Sequence, residues 1–378
     1  MQPPSGLGTQ NFSGTYTSNP ADFVNVSGSG VADFLMDQMN SSSLSTVAPF
    51  TDLRWYYAGF LQDDWKLTPR FTLNLGIRWE YSQPIRERNN QHANFYGTYA
   101  GMNQGTGTLL IPSSQSGYPF SAELTSALAA DNINVQYTIN NYLVNPKRYN
   151  FAPRVGFSYL VDPKTVLRGG FGMFYGGLEN IGLGLNLAYN APFFVNASFI
   201  PTPNQCYNLN GTVNCPTNGQ TLETGFGTAA TSNAALAAAS GVSTIYAQDQ
   251  NAKSSYNMAY NLSLQHSLSS TMSFTIGYQG NQSRHLRSSY NANTYAGYVP
   301  AGANGQLYQP FYDFSIVNVT SGGIARYDSL QAKIEKRYAG GLYFLGSYTF
   351  AHCLDVTIGQ SSSSREIIRS RAEASCSS

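Results

Sequence analysis

The sequence predicts an all-β fold, specifically a transmembrane antiparallel β-barrel, from three observations. Apolar and polar residues alternate with a period of two over several segments; these segments come in pairs joined by very short turns; and long polar connections separate the pairs.

Phe71–Tyr81 alternates most cleanly. Phe71, Leu73, Leu75, Ile77, Trp79 and Tyr81 are apolar, while Thr72, Asn74, Gly76, Arg78 and Glu80 are small, polar or charged. A strand of this length crosses a bilayer at the tilt of a barrel. Met258, Tyr260, Leu262 and Leu264 alternate with Ala259, Asn261, Ser263 and Gln265, and Met272, Phe274, Ile276 and Tyr278 with Ser273, Thr275, Gly277 and Gln279. Applied throughout, the pattern predicts eight strands, at about 52–67, 71–82, 151–160, 165–175, 256–268, 272–280, 325–338 and 342–352. Two residues break parity: Asp63, which calls for a bulge or a place outside the hydrocarbon, and Lys336, tolerable near a strand end where it snorkels.

Partners across an antiparallel hairpin share a face, so each turn must hold an odd number of residues. Thr68-Pro69-Arg70, Ser269-Ser270-Thr271 and Ala339-Gly340-Gly341 supply three each, with Gly341 suited to a left-handed position. Around Pro163 a five-residue turn, Leu160 to Lys164, is expected. Gln83–Asn150, Gly176–Ser255 and Asn281–Gly323 are the long connections, and Ser121–Ala130 is a candidate short helix. Short turns alternating with long connections are the periplasmic and extracellular ends of an outer-membrane barrel. The inward residues carry arginines and long polar side chains suited to a wide lumen, so these eight strands are not expected to close on themselves.

Composition narrows the function classes. The 378 residues carry a net charge of +1, which gives no basic field for nucleic acid. Charged residues make up only 11%, against 27 Tyr, 21 Phe and 36 Gly, and no apolar run is long enough for a membrane helix. The opening Met1-Gln2-Pro3-Pro4-Ser5-Gly6 has no basic or apolar leader, so an exported chain is expected to be a piece of a longer parent.

Candidate site residues are few. Arg78 and Glu80 share the inward face and can form a lumen-side ion pair or touch a solute; Arg154 and Arg168, inward on facing strands, can meet an anionic group or a plug. His92, His266, His285 and His352 lack metal-ligand spacing, no Gly-x-Ser-x-Gly elbow marks a nucleophile, and Gly169-Gly170-Phe171-Gly172 is followed by no Gly-Lys-Ser/Thr. Neither enzyme nor cofactor is expected. Cys206 and Cys215, nine apart, can close a small loop outside the cytosol, whereas Cys353 and Cys376 show no partner. Trp55, Tyr56, Tyr57, Trp65, Trp79, Tyr81, Tyr159 and Tyr175 lie near strand ends, where aromatic girdles sit.

Several of these segments resemble Oar-like TonB-dependent outer-membrane receptors. Gln62-Asp63-Asp64-Trp65-Lys66 leads through Thr68-Pro69-Arg70 into Leu73-Asn74-Leu75-Gly76-Ile77-Arg78, and Asn150-Phe151-Ala152-Pro153-Arg154-Val155-Gly156 and Tyr256-Asn257-Met258-Ala259-Tyr260 are similar to later hairpins. Tyr327-Asp328-Ser329-Leu330-Gln331 and Gly346-Ser347-Tyr348-Thr349-Phe350 match further on, and Gly30-Val31-Ala32-Asp33-Phe34-Leu35 resembles an element ahead of the first hairpin. The resemblance implies part of a barrel of about twenty-two strands, a plug domain, a TonB-type energy-coupling protein and a solute of unknown identity, with outer-membrane lipid around it. It divides the chain into a leading segment at 1–51, barrel hairpins at 52–353 and a divergent tail at 354–378 that no longer looks like the family. Two other readings are a structural or adhesive outer-membrane protein without transport, and a secreted soluble β-sandwich, which would need a second sheet over the apolar face.

Overall fold

The computed structural model describes residues 8–14, 17–18, 28–37, 39–45, 50–176, 187–199, 244–294, 298–301 and 303–356. Its main element is a wall of eight strands: β1 (Tyr56–Thr68), β2 (Phe71–Ser82), β3 (Asn150–Asp162), β4 (Thr165–Tyr175), β5 (Tyr256–Ser267), β6 (Met272–Asn291), β7 (Ser315–Ala339) and β8 (Leu342–Val356). Each pairs antiparallel with the next in sequence. The register keeps apolar residues together: Leu73 lies between Trp65 and Phe157, Leu264 between Leu167 and Ile276, and Leu330 between Tyr278 and Phe350. Since side chains alternate along a strand, one whole face of the wall is apolar and the other polar.

Nothing in the described protein covers the apolar face. Leu61, Leu262 and Phe350 are 74%, 49% and 65% exposed, which removes the β-sandwich reading, because no second sheet packs there. The chain does bury apolar side chains elsewhere, so this exposure is specific to the wall. From Phe71 to Tyr81 the outward positions span about 33 Å along the strand, or about 25 Å across the membrane at a tilt of ~40°, the height of a barrel's lipid-facing band. Among the described residues β1 pairs only with β2, and β8 bonds only β7. The wall is thus an open arc with two free edges, not a closed eight-stranded barrel.

Three of the four turns are tighter than the sequence predicts. Thr68 pairs Phe71, Asp162 pairs Thr165 and Ala339 pairs Leu342, leaving two residues in each loop, and a bulge follows at Lys66/Thr68, Leu160/Asp162 and Lys336/Ala339. The bulge takes the odd residue into the strand, so the face is preserved while the turn closes on two. Only β5–β6 keeps three, with the Leu268 amide donating to the Met272 carbonyl at 2.9 Å across Ser269-Ser270-Thr271. Gly340 and Gly341 have φ of +64° and +80°, the pair that a type I′ turn requires. Replacing Gly340 by valine is therefore expected to cost about 1–2 kcal/mol, read as a lower urea midpoint for folding into micelles; an unchanged midpoint would mean that this turn is not held left-handed.

Lys336 sits at its strand end, where its ammonium donates to the Ala339 carbonyl at 3.2 Å. Asp63 lies opposite Leu75 on the outward face with no bulge at that pair, which leaves a place outside the hydrocarbon as the expected alternative.

The described parts of the long connections, expected as polar loops, fold into a cap over the long-loop end of the wall. Strands Asn94–Thr98, Thr106–Pro112 and Ile133–Thr138 form a small sheet with one parallel pairing, and Thr244–Gln248 runs parallel to the upper part of β7. A helix spans Ala122–Ala130, started by the Ser121 hydroxyl accepting from the Leu124 amide at 3.1 Å. Phe95, Leu109, Ile111, Ile133, Phe311, Phe314 and Ile316 build a core beneath it, each contributing roughly 1.5–3 kcal/mol.

Three buried asparagines tie the cap's segments together by imitating backbone. Asn94 donates to the carbonyls of Leu143 (3.0 Å) and Gln248 (2.9 Å) and accepts from the Gln248 amide at 2.8 Å. Asn190 donates to Ala93 (2.6 Å) and Tyr246 (2.7 Å) and accepts from the Tyr246 amide. Asn293 links to Phe311 and Phe314 in the same way, while both Asp131 carboxylate oxygens accept amides, from Tyr312 at 2.9 Å and Asp313 at 2.8 Å.

Candidate functional site

Where the upper inner wall meets the cap there is a cavity of about 120 Å³. The wall contributes Tyr56, Glu80, Ser82, Asn150, Tyr175 and Arg287; the cap and its approach contribute Asp52, Arg54, Glu87, His92, Lys147, Asp249, Lys253 and Ser255 among others. Four carboxylates and four basic side chains line it, so its formal charge is balanced. Asn145 and Lys253 at its margin are exposed, while Asn150 and Ser255 are buried.

Much of this charge is already engaged within the protein. Arg78 on β2 donates from Nε to Glu80 and from Nη2 to the Tyr56 hydroxyl at 3.1 Å. The period-two strand places Arg78 and Glu80 on one face, so the pair forms along a single strand. Arg54 donates to the Ser82 hydroxyl at 2.7 Å. Glu87 is buried and accepts three backbone amides, those of Thr51 (3.1 Å), Asn89 (2.6 Å) and Gln91 (3.0 Å), which pins the turn before His92.

His92 is 2% exposed. Its Nε2 lies 2.9 Å from the Asn141 carbonyl and so carries the hydrogen, while Nδ1 has no hydrogen-bond partner. Burial lowers its pKa from 6.5 to about 4, so the folded protein holds it neutral. As pH falls through 6.5 the unfolded chain takes up the proton first, and cap stability is lost between about 6.5 and 4 by on the order of 3 kcal/mol. Protease nicking between residues 94 and 143 is therefore expected to accelerate at pH 4.5 in the native chain and not in His92→Gln; equal acceleration in both would assign the effect to another group.

The other sequence-derived candidates lie apart from the cavity. Arg154 lies over the Phe174 ring at 4.6 Å, and Arg168 donates to Gln265 at 2.7 Å. Both are exposed, and neither has a carboxylate partner among the described residues. Cys206 and Cys215 lie outside the described residues. Cys353, for which the sequence offers no obvious partner, is disulfide-bonded; connectivity cannot be read from spacing alone. Tyr57 and Tyr81 stack at 6.2 Å as girdle residues would, but Tyr56 and Tyr175 line the cavity. His92, Glu87 and Asn150 were invisible as site residues because the cavity draws on six stretches separated in sequence.

A model of the outer membrane beta barrel domain matches residues 1–375. The chain belongs to that outer-membrane β-barrel family. The uncovered apolar face is therefore the lipid-facing surface of an outer-membrane wall, with the cap on its extracellular side. No curated protein matches the sequence. Among solved structures the chain is similar to the copper transporter OprC (TM-score 0.35, 10% identity, covering 84% of this chain and 30% of that one). It is also similar to the alcaligin outer membrane receptor FauA of Bordetella pertussis (0.33, 9%, 83% and 34%) and to the outer membrane transporter YddB of Escherichia coli (0.34, 11%, 83% and 33%). The chain spans about a third of the length of each.

Proposed function

We propose that this chain is part of an Oar-like TonB-dependent receptor that binds a solute at the cell surface and imports it. The observation carrying this reading is the cavity between inner wall and cap, a polar enclosure at the extracellular mouth of a membrane wall. The run from Gln62 to Arg78 supports the subtype. The two free wall edges support membership of a larger barrel, since unpaired edge groups are costly in lipid. In this reading residues 1–51 lead into the barrel, 52–353 carry its hairpins and 354–378 form a tail. Arg154 and Arg168 face a plug in the lumen, and a TonB-type protein supplies the energy.

Uptake distinguishes this reading from a structural or adhesive role. Cells carrying the full-length protein are expected to accumulate its solute only while the energy-coupling protein is present. Surface binding that persists unchanged without that protein, with no internal accumulation, would favour adhesion.

A further inference from the structure

Charge is sparse on the lipid-facing side of the wall, and most of it gathers in one patch. Asp63 and Lys336 lie apart, whereas Arg326 and Asp328 on β7, Arg284 on β6 and His352 on β8 are neighbours across three strands. Arg326 opposes Gln282, Arg284 follows two positions along in register with Tyr256, and Asp328 opposes His352. All four keep the parity of the outward residues, so they share the face of Leu330 and Phe350. Their height follows from the strand. Lys336, near the turn, and Arg326 are separated by about 34 Å along β7, or about 26 Å across the membrane at a tilt of ~40°, with Leu330, Ala332 and Ile334 between them. The patch therefore stands where the hydrocarbon gives way to the headgroups of the outer leaflet.

Within the patch Asp328 is fully engaged. The hydroxyls of Tyr260 and Tyr278 donate to its Oδ1 at 2.9 and 2.6 Å, and Arg326 donates to Oδ2 from Nε. A guanidinium has five N–H donors; this contact steadies Arg326 through one of them while its side chain stays 52% exposed, so its terminal amino groups remain available to a further acceptor. Arg284 is partly exposed and meets no carboxylate among the described residues. Two guanidiniums against one carboxylate leave one positive charge. The two lie diagonally on adjacent strands, about 7–8 Å apart, a span that one phosphate bridges with charge-assisted hydrogen bonds. Because apolar Leu330 and Phe350 begin immediately below Asp328 and His352, the anion that fits is one carried on acyl chains.

We infer that this patch binds the phosphate of a phosphorylated outer-leaflet lipid, with Arg326 and Arg284 donating to its oxygens and the acyl chains lying along Leu330 and Phe350. The inference rests on the outer-membrane placement of the wall and is independent of transport and of the cavity under the cap.

The test is native mass spectrometry of the full chain in detergent, titrated with bisphosphorylated lipid A, with dephosphorylated lipid A and inorganic phosphate as comparators. Saturable binding of lipid A is expected, about ten-fold or more tighter than that of the dephosphorylated lipid, with no binding of inorganic phosphate at the same concentrations. Arg326→Gln and Arg284→Gln are each expected to weaken lipid A binding about ten-fold or more, and Lys333→Gln, on the inward parity of the same strand, to leave it within about two-fold. Protease resistance of the cap shows whether each variant folds; if an arginine variant does not, the comparison of the two lipids on the native chain decides. Equal binding of the two lipids, binding of inorganic phosphate as tightly as lipid A, abolition by Lys333→Gln, or a dimer of the chain that Arg326→Gln dissociates and lipid A does not displace would overturn the inference. A chain that inserts into vesicles yet does not prefer the phosphorylated lipid refutes the lipid site alone, whereas failure to insert refutes the membrane placement.

Discussion

Replacing Leu262 by arginine is expected to destabilise the membrane-inserted wall by about 2–4 kcal/mol, while Asn261→Arg, one residue away, costs less than about 1 kcal/mol. Leu262 lies on the outward face between Gly169 and Tyr278 in the middle of the arc, so an arginine there must carry its charge into hydrocarbon. Asn261 lies between Gly170 and Gln279 on the polar face, where water solvates the new charge. Urea titration of folding into vesicles measures both. Equal costs at the two positions would mean that the faces are not chemically distinct, and the membrane assignment would then fail.

The second large effect concerns the cap. Asn94→Leu removes two donors and an acceptor from the buried carbonyls of Leu143 and Gln248 and the Gln248 amide. At roughly 1–3 kcal/mol for each of the three groups left unpaired, the cap loses about 3–9 kcal/mol. Asn94→Asp does not rescue it, because a carboxylate still accepts from the amide but sets negative charge against two carbonyl oxygens. Amide hydrogen exchange at Leu109–Ile111 is expected to speed by more than a hundred-fold in both variants, with exchange in β5 and β6 unaltered. Native-like protection of the cap in Asn94→Leu would show that the side chain is not the tie between these segments.

The wall was legible in sequence because a membrane strand writes its environment locally. Phe71–Tyr81 shows its two faces within eleven residues, and the hairpin parity depends only on counting. Turn lengths were less legible, since a bulge beside Lys66 or Lys336 moves one residue from loop to strand without altering the parity. The cap was hardly legible at all. Phe95, Ile111, Phe311 and Ile316 meet in one core from distant segments, and Leu109-Leu110-Ile111 lacks alternation because the strand is buried on both faces. The helix at Ala122–Ala130 was the exception, announced by its Ser121 cap. Of the cavity, sequence parity found Glu80 on the inward face; His92 and Asn150 come near it only through the cap's tertiary fold, and an asparagine that stands in for backbone has no sequence signature.

The central claim is that alternate wall residues face lipid and a watery interior. Single spin labels at Leu75, Leu262 and Ile276 and at the neighbouring inward positions Asn74, Asn261 and Thr275 test it most directly, in the full chain in vesicles. The first three are expected to be accessible to molecular oxygen and shielded from a water-soluble nickel chelate, and the second three the reverse. The same accessibility at both sets, or chelate access at Leu75, Leu262 and Ile276, would contradict it.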